Sequence, residues 1–282
     1  MKRIFVFLLV LAVAGISQAA PVNIPDPNLK AAIEAKLGIP NPDANQMLLL
    51  THLDANSLGI SDLTGLEWAT NLRSLRLNLN LISDVTVLSG LTNLWYLNLI
   101  DNNVTDISPL QPLTKLIYLY LDRNDDISDI NAVKDMNSLA ELGLIDVNLV
   151  DITPLADVNQ LKYLWLGTNQ IQDINVLRGF YSLIRLNLGT NNPLSFISRC
   201  DYLHQIAANN SGNPGFSVNP VVSGDISANS TDYNDLQIFA DQWLKSGCNT
   251  YNGYCKCCDS TESGTVNFDD FVDFADVWME QL

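Results

Sequence analysis

Two stretches decide the fold: Leu94-Trp95-Tyr96-Leu97-Asn98-Leu99-Ile100-Asp101-Asn102 and Leu116-Ile117-Tyr118-Leu119-Tyr120-Leu121-Asp122-Arg123-Asn124. They lie 22 residues apart and share Leu at positions 1, 4 and 6 and Asn at position 9. The leading leucine recurs at Leu72, Leu94, Leu116, Leu139, Leu161 and Leu183, with offsets of 22, 22, 23, 22 and 22, and a looser copy starts at Leu50. The position-9 Asn appears as Asn80, Asn102, Asn124, Asn169 and Asn191. An Asp follows in each unit (Asp62, Asp84, Asp106, Asp129, Asp151, Asp173), with an aliphatic residue directly after it.

Leucines that alternate with polar or aromatic residues suit a short strand buried on one face. A unit this short cannot bury that face alone, so stacking is required, with the strands in a parallel concave sheet. The fold class expected is therefore an α/β solenoid. The fixed Asn should turn its amide inward onto backbone groups left unpaired by the turn. The Asp suits a turn or cap at the start of the convex segment.

The pattern L-x-x-L-x-L-x-x-N is the leucine-rich repeat signature. With 22-residue units and the segments Ile60-Ser61-Asp62-Leu63, Ile82-Ser83-Asp84-Val85 and Ile127-Ser128-Asp129-Ile130, the array resembles the internalin-like class of bacterial leucine-rich repeat proteins. The resemblance implies a horseshoe over residues 50–195. Two departures fall together: an extra residue at Asp125-Asp126, and Val147 where Asn is due. Asn148 is the expected substitute, shifted by one residue, with a local bulge and no loss of fold.

The ends of a solenoid need covers. Within residues 20–49, Asp26-Pro27 followed by Leu29, Ile33 and Leu37 and closed by Gly38 predicts a capped amphipathic helix. Residues 196–208, with Cys200, Tyr202, Leu203 and Ile206, are expected to form the other cap. Residues 209–223, rich in Asn, Ser, Gly and Pro, read as a linker. At the start, Lys2-Arg3, the apolar run Ile4 to Ala14 and Ser17-Gln18-Ala19 read as a signal peptide over residues 1–19. That implies a secreted or surface-held protein with no membrane insertion, in an environment that permits disulfides.

Residues 224–282 differ from the rest. Asp235, Phe239, Ala240, Asp241 and Trp243 recur 35 residues on as Asp270, Phe274, Ala275, Asp276 and Trp278. Before the second copy, Asp259, Thr261, Ser263, Asn267 and Asp270 occupy loop positions 1, 3, 5, 9 and 12, with Gly264 at 6. This is EF-hand loop spacing. With Asp at position 12 and one helix per loop, the tandem resembles a type I dockerin, a small all-α domain. The resemblance implies calcium on those five side chains and the Thr265 carbonyl. Only two aligned carboxylates remain, which predicts one weak site of the extracellular class. The first loop (Asp225, Ser227, Asn229, Asp232, Asp235) is one residue short, lacks the Gly, and is the weaker candidate.

Dockerins dock onto cohesin modules of polysaccharide-degrading assemblies. Here Tyr233-Asn234 and Phe268-Asp269 stand at the recognition positions, often Ser-Thr in the family, so a cell-surface partner is as much expected as a cohesin-like one. Cys248 and Cys255 flank a polar loop and are the expected disulfide. A zinc knuckle from Cys248, Cys255, Cys257 and Cys258 is the alternative, with spacings that lack the usual bite. The five cysteines leave the connectivity open.

Charge narrows function. Against 15 Lys+Arg stand 31 Asp+Glu, a net charge of -16, which excludes phosphate-backbone recognition of nucleic acid. His52 and His204 sit apart, and no nucleophile motif or phosphate-binding loop accompanies them, so no enzyme is expected. The outward positions of the strands carry Tyr96, Tyr118, Tyr120, Tyr163 and Trp165, with Arg76, Asn98, Asp122 and Arg185 around them. Aromatics that the core does not need are interface material. They predict a protein or peptide ligand on the concave face. The alternatives are a glycan-binding or structural component of a polysaccharide-handling assembly docked through its tail, or aromatics that merely pack on one another.

Overall fold

A computed structural model describes residues 19–124, 126–189, 192–194, 203–213 and 216–219. Residues 1–18 of the expected signal peptide, the loops expected to bind calcium, the duplicated tail and all five cysteines lie outside the described residues.

The repeats form one parallel sheet in strict chain order. Its strands are β1 (His52–Asp54), β2 (Ser74–Arg76), β3 (Tyr96–Asn98), β4 (Tyr118–Tyr120), β5 (Glu141–Gly143), β6 (Tyr163–Trp165), β7 (Arg185–Asn187) and β8 (Ser217–Asn219). The register follows the sequence period: Leu53, Leu75, Leu97, Leu119, Leu142, Leu164 and Leu186 align as Cα partners. These leucines point inward, all but fully buried, and each is flanked by two residues that face the concave side. Between β1 and β7 the described convex segments are short 3-10 turns, such as Thr86–Gly90 and Thr153–Asp157. A 22-residue unit leaves too little chain for a longer helix after its strand and two turns.

The Asn column behaves as its chemistry requires. Asn102 donates to the carbonyls of Leu77 and Leu99 at 3.0 Å and accepts the Ile82 N–H at 3.0 Å. Asn80, Asn124 and Asn169 repeat the arrangement. One amide thus stitches two neighbouring coils. The Asp column forms turns on the convex rim: Asp84, Asp106, Asp129, Asp151 and Asp173 each accept the backbone N–H two residues on, at 2.7–2.8 Å.

Two expectations within the array need correction. In the last coil the slot is filled by Asn192, which donates to Leu166 and Leu188 and accepts from Ile171, while Asn191 lies outside the described residues. Asn148 does not replace the missing Asn: Val147 is wholly buried in the slot and Asn148 is exposed at φ 59°. The inserted Asp126 takes φ 74°, so the extra residue is absorbed in the turn and β4 still pairs with β5 in register.

Helix α1 (Pro27–Leu37) covers the N-terminal end, with Leu29 and Ile33 fully buried and Gly38 closing it at φ 68°. Asp26 does more than cap: Oδ1 accepts from Asn28 and Leu29, and Oδ2 accepts from Ser61 and Asp62 of the first coil. A short α2 (Ala44–Met47) follows, with a capping box between Asp43 and Gln46.

At the other end α3 (Leu203–Asn210) runs past the expected limit of the cap at residue 208, with Ile206 buried. The segment expected to be a linker contributes to the solenoid. Asn210 donates to Phe180 O at 2.7 Å, Asn213 donates to Leu183 O at 2.8 Å, and β8 pairs in parallel with β7. Polar composition misleads here because these amides are spent on the open carbonyls of the last coil.

Candidate functional site: the concave sheet

The register creates two outward columns. The first runs His52, Ser74, Tyr96, Tyr118, Glu141, Tyr163, Arg185, and the second Asp54, Arg76, Asn98, Tyr120, Gly143, Trp165, Asn187. Strands in a sheet are about 4.8 Å apart, so neighbours within a column touch.

Tyr96, Tyr118 and Tyr120 gather as anticipated, and the sequence reading missed a fourth ring, Trp95. Trp95 meets Tyr96 and Tyr118 edge-on at 5.9 Å, and Tyr96 lies 5.9 Å from Tyr118 and 5.7 Å from Tyr120. Trp95 is 37% exposed. It stands immediately before the strand, at repeat position 2, a place the alternation rule does not assign to either face. Arg76 caps the cluster, its guanidinium 4.9 Å from the Tyr96 ring centre.

Trp165 belongs to a second group. Its indole N–H donates to Glu141 Oε1 at 3.1 Å, and Arg185 lies 5.7 Å from its ring centre. Tyr163 stands between Glu141 and Arg185 in the first column. Burial first, then the neighbouring Glu141 carboxylate, holds the Tyr120 hydroxyl well above the usual phenol range, so it is a neutral donor at physiological pH. Glu141, which joins Tyr120 to Trp165, was not singled out from sequence. Its signal was available: a lone acid in a column of tyrosines.

Two anticipated members are structural. Asn98 spends its Oδ1 on the Ile100 N–H at 3.0 Å. Asp122 is not a surface neighbour of the rings: it is only 7% exposed and its Oδ1 accepts the Ile145 N–H at 2.8 Å. Burial pushes its pKa up despite that bond. His52 is exposed on β1 and contacts Thr51 Oγ1 at 3.0 Å. The side chain of His204 is outside the described set.

Among the described residues, no group of three or more His, Cys, Asp or Glu side chains is placed to hold a metal ion. No helix among them is long and apolar enough to cross a membrane.

No protein-family model matches the chain, and no curated protein matches it. Solved structures do. Internalin C2 of Listeria monocytogenes is 26% identical, with 72% of this chain and 87% of that chain covered and a TM-score of 0.62. A second internalin of the same bacterium (inlF) is 24% identical, with 77% of each chain covered and a TM-score of 0.54. That second likeness speaks to fold alone. The described residues form a leucine-rich-repeat solenoid similar in fold to these internalins.

Proposed function

We propose that this is a secreted or surface-held recognition protein whose concave sheet binds an extracellular protein or peptide. The observation that carries the reading is the cluster of Trp95, Tyr96, Tyr118 and Tyr120. The core is built from leucines and isoleucines, so these rings are not needed to hold the fold, yet they are held together on its open face. Tyr, Trp and Arg are the residue types that dominate binding energy at protein interfaces. The rings meet at interplanar angles of 41–74°, a ridged surface of edges and faces rather than a flat platform for a sugar ring. That favours a protein ligand over the glycan alternative.

The tail extends the proposal. Its loop from Asp259 to Asp270 is proposed to bind one calcium ion weakly, and the tandem to attach the protein to a cohesin-like or cell-surface partner. The support is the loop spacing and the 35-residue duplication.

The test probes an array of purified extracellular proteins and a glycan array with the full chain and with Tyr118→Ala/Trp165→Ala. Saturable binding to array proteins, lost in the double variant while its far-UV spectrum is unchanged, is the expected result. Retained affinity in the variant, or hits confined to glycans, overturns the reading.

A further inference from the structure

Charge is spread unevenly over the solenoid. Residues 50–189 carry 8 Lys+Arg and 16 Asp+Glu. Each strand from β1 to β7, taken with the residue before it, makes a four-residue segment on or beside the concave sheet. These segments hold Arg73, Arg76, Lys162 and Arg185, half of those cations, but only Asp54 and Glu141 of the 16 acids. A face with more cations than acids thus stands on a chain whose net charge is -16.

The fold accounts for the acids and not for these cations. Asp84, Asp106, Asp129, Asp151 and Asp173 close convex turns, and Asp101 takes Arg123. The four strand cations are all exposed. Among the described residues Arg73, Lys162 and Arg185 make no ion pair, and Arg76 has only Asp54, at 3.8 Å. Such an exposed contact contributes little. Solubility does not call for the cations either, since the acids already supply a large net charge. Arg76 and Arg185 lie over the rings of Tyr96 and Trp165. A guanidinium stacked on a ring keeps in-plane N–H groups to offer a carboxylate.

Their placement has a pattern. Arg73 and Arg76 belong to β2, Lys162 and Arg185 to β6 and β7, and the ring cluster of β3 and β4 lies between. At about 4.8 Å per strand the two cationic poles are roughly 20 Å apart, the span of about six residues of extended chain. Opposite charge at both ends with an apolar middle is the complement such a surface selects.

We propose that the protein ligand of the concave face is acidic where it docks. It sets carboxylates against Arg73 and Arg76 at one pole and against Lys162 and Arg185 at the other, with apolar side chains on the rings between. The proposal rests on the concave-face reading and names the charge of the partner.

The probe is the random copolymer of glutamate and tyrosine, fluorescein-labelled, titrated with the full chain in about 0.15 M salt and read by fluorescence anisotropy. Polyglutamate, which lacks the rings, and polygalacturonate, which lacks the polypeptide, are the comparisons. Saturable binding of the copolymer is expected, tighter than that of either comparison and weakened by added salt. Arg73→Glu/Arg76→Glu and Lys162→Glu/Arg185→Glu should each weaken it about tenfold or more. Lys115→Glu/Lys134→Glu makes the same change of net charge outside the concave strands and should stay within about twofold of wild type. An equal loss in that control, no loss in the concave pairs, no saturation, or a comparison polymer that binds as tightly overturns the proposal. Salt-sensitive self-association that Arg73→Glu/Arg76→Glu removes would also overturn it, by giving the face to a second copy of this chain. Should a charge-reversed chain fail to fold, Arg73→Gln/Arg76→Gln tests the same pole, with a severalfold loss expected. The array proteins separate the two readings. Binding lost in Tyr118→Ala/Trp165→Ala yet kept in Arg73→Glu/Arg76→Glu sinks the acidic-partner proposal alone, whereas binding kept in the aromatic variant sinks the concave-face reading itself.

Discussion

Replacing Asn124 by alanine isolates the stitching that holds one coil to the next. Asn124 is fully buried; it donates to Leu99 O at 2.9 Å and Leu121 O at 2.7 Å, and accepts the Val104 N–H at 2.9 Å. Leu99 O keeps a second donor in Asn102. Among the described residues the Val104 N–H and the Leu121 carbonyl have no other hydrogen bond, so the substitution orphans two buried groups. Each orphan costs about 1–3 kcal/mol, which sets the expected loss at about 2–6 kcal/mol. Urea titration followed by far-UV circular dichroism measures it, with Asn103→Ala on the exposed rim as the reference, expected within about 0.5 kcal/mol of wild type. Amide exchange supplies the local reading, because stacked coils can open one at a time. Val104 should lose protection before amides of the caps do. A loss below about 1 kcal/mol, or Val104 protection equal to wild type, would refute the claim that the Asn column couples the coils.

The remaining predictions draw on other features. Burial acts upward on the Asp26 carboxyl, but four backbone N–H donors outweigh it and hold the pKa below the usual carboxylate range. Its contribution is therefore present at neutral pH and lost as pH falls through the depressed value: Asp26→Ala should cost about 2 kcal/mol at pH 7, and urea titrations should show the gap from wild type narrowing below about pH 4. Thr168 is exposed and β-branched at φ 56°, a conformation that disfavours its Cβ by about 1–2 kcal/mol. Thr168→Asn should raise stability by about 1 kcal/mol; a lower melting temperature would contradict the strain. For the tail, calorimetric titration of the full chain should give one calcium site in the ~10⁻⁴–10⁻³ M range. Asp270→Ala should abolish it and Asp225→Ala should not, whereas silence at several millimolar calcium removes the metal from the proposal.

Much of the fold was legible in the sequence because period and chemistry coincide. A leucine every two residues within a strand, repeated every 22, admits one register, and the structure adopts it from β1 to β7. The Asn column, the Asp turns and the Asp26-Pro27 cap are local hydrogen-bond requirements, and local requirements leave marks at fixed offsets. The columns of aromatics followed directly from the register.

Tertiary structure decided what depends on neighbours rather than on spacing. Whether Asn148 or Val147 faces the core is a contest between burying an amide and burying an aliphatic side chain, and packing awards the slot to Val147. Asn192 takes the last slot in the same way, two bonds to the preceding coil and one within its own fixing a choice that two consecutive asparagines left open. The polar segment after α3 becomes the eighth strand because the end of a solenoid exposes unpaired backbone, and Asn210 and Asn213 satisfy it. Asp122 could not be placed from its position alone: only the absence of a side chain at Gly143, one coil away, lets its carboxylate lie down against the sheet. The sequence by itself determined the ladder of strands, since that follows from periodicity; which polar groups face inward, and which stand open to a ligand, was settled only when the coils were stacked.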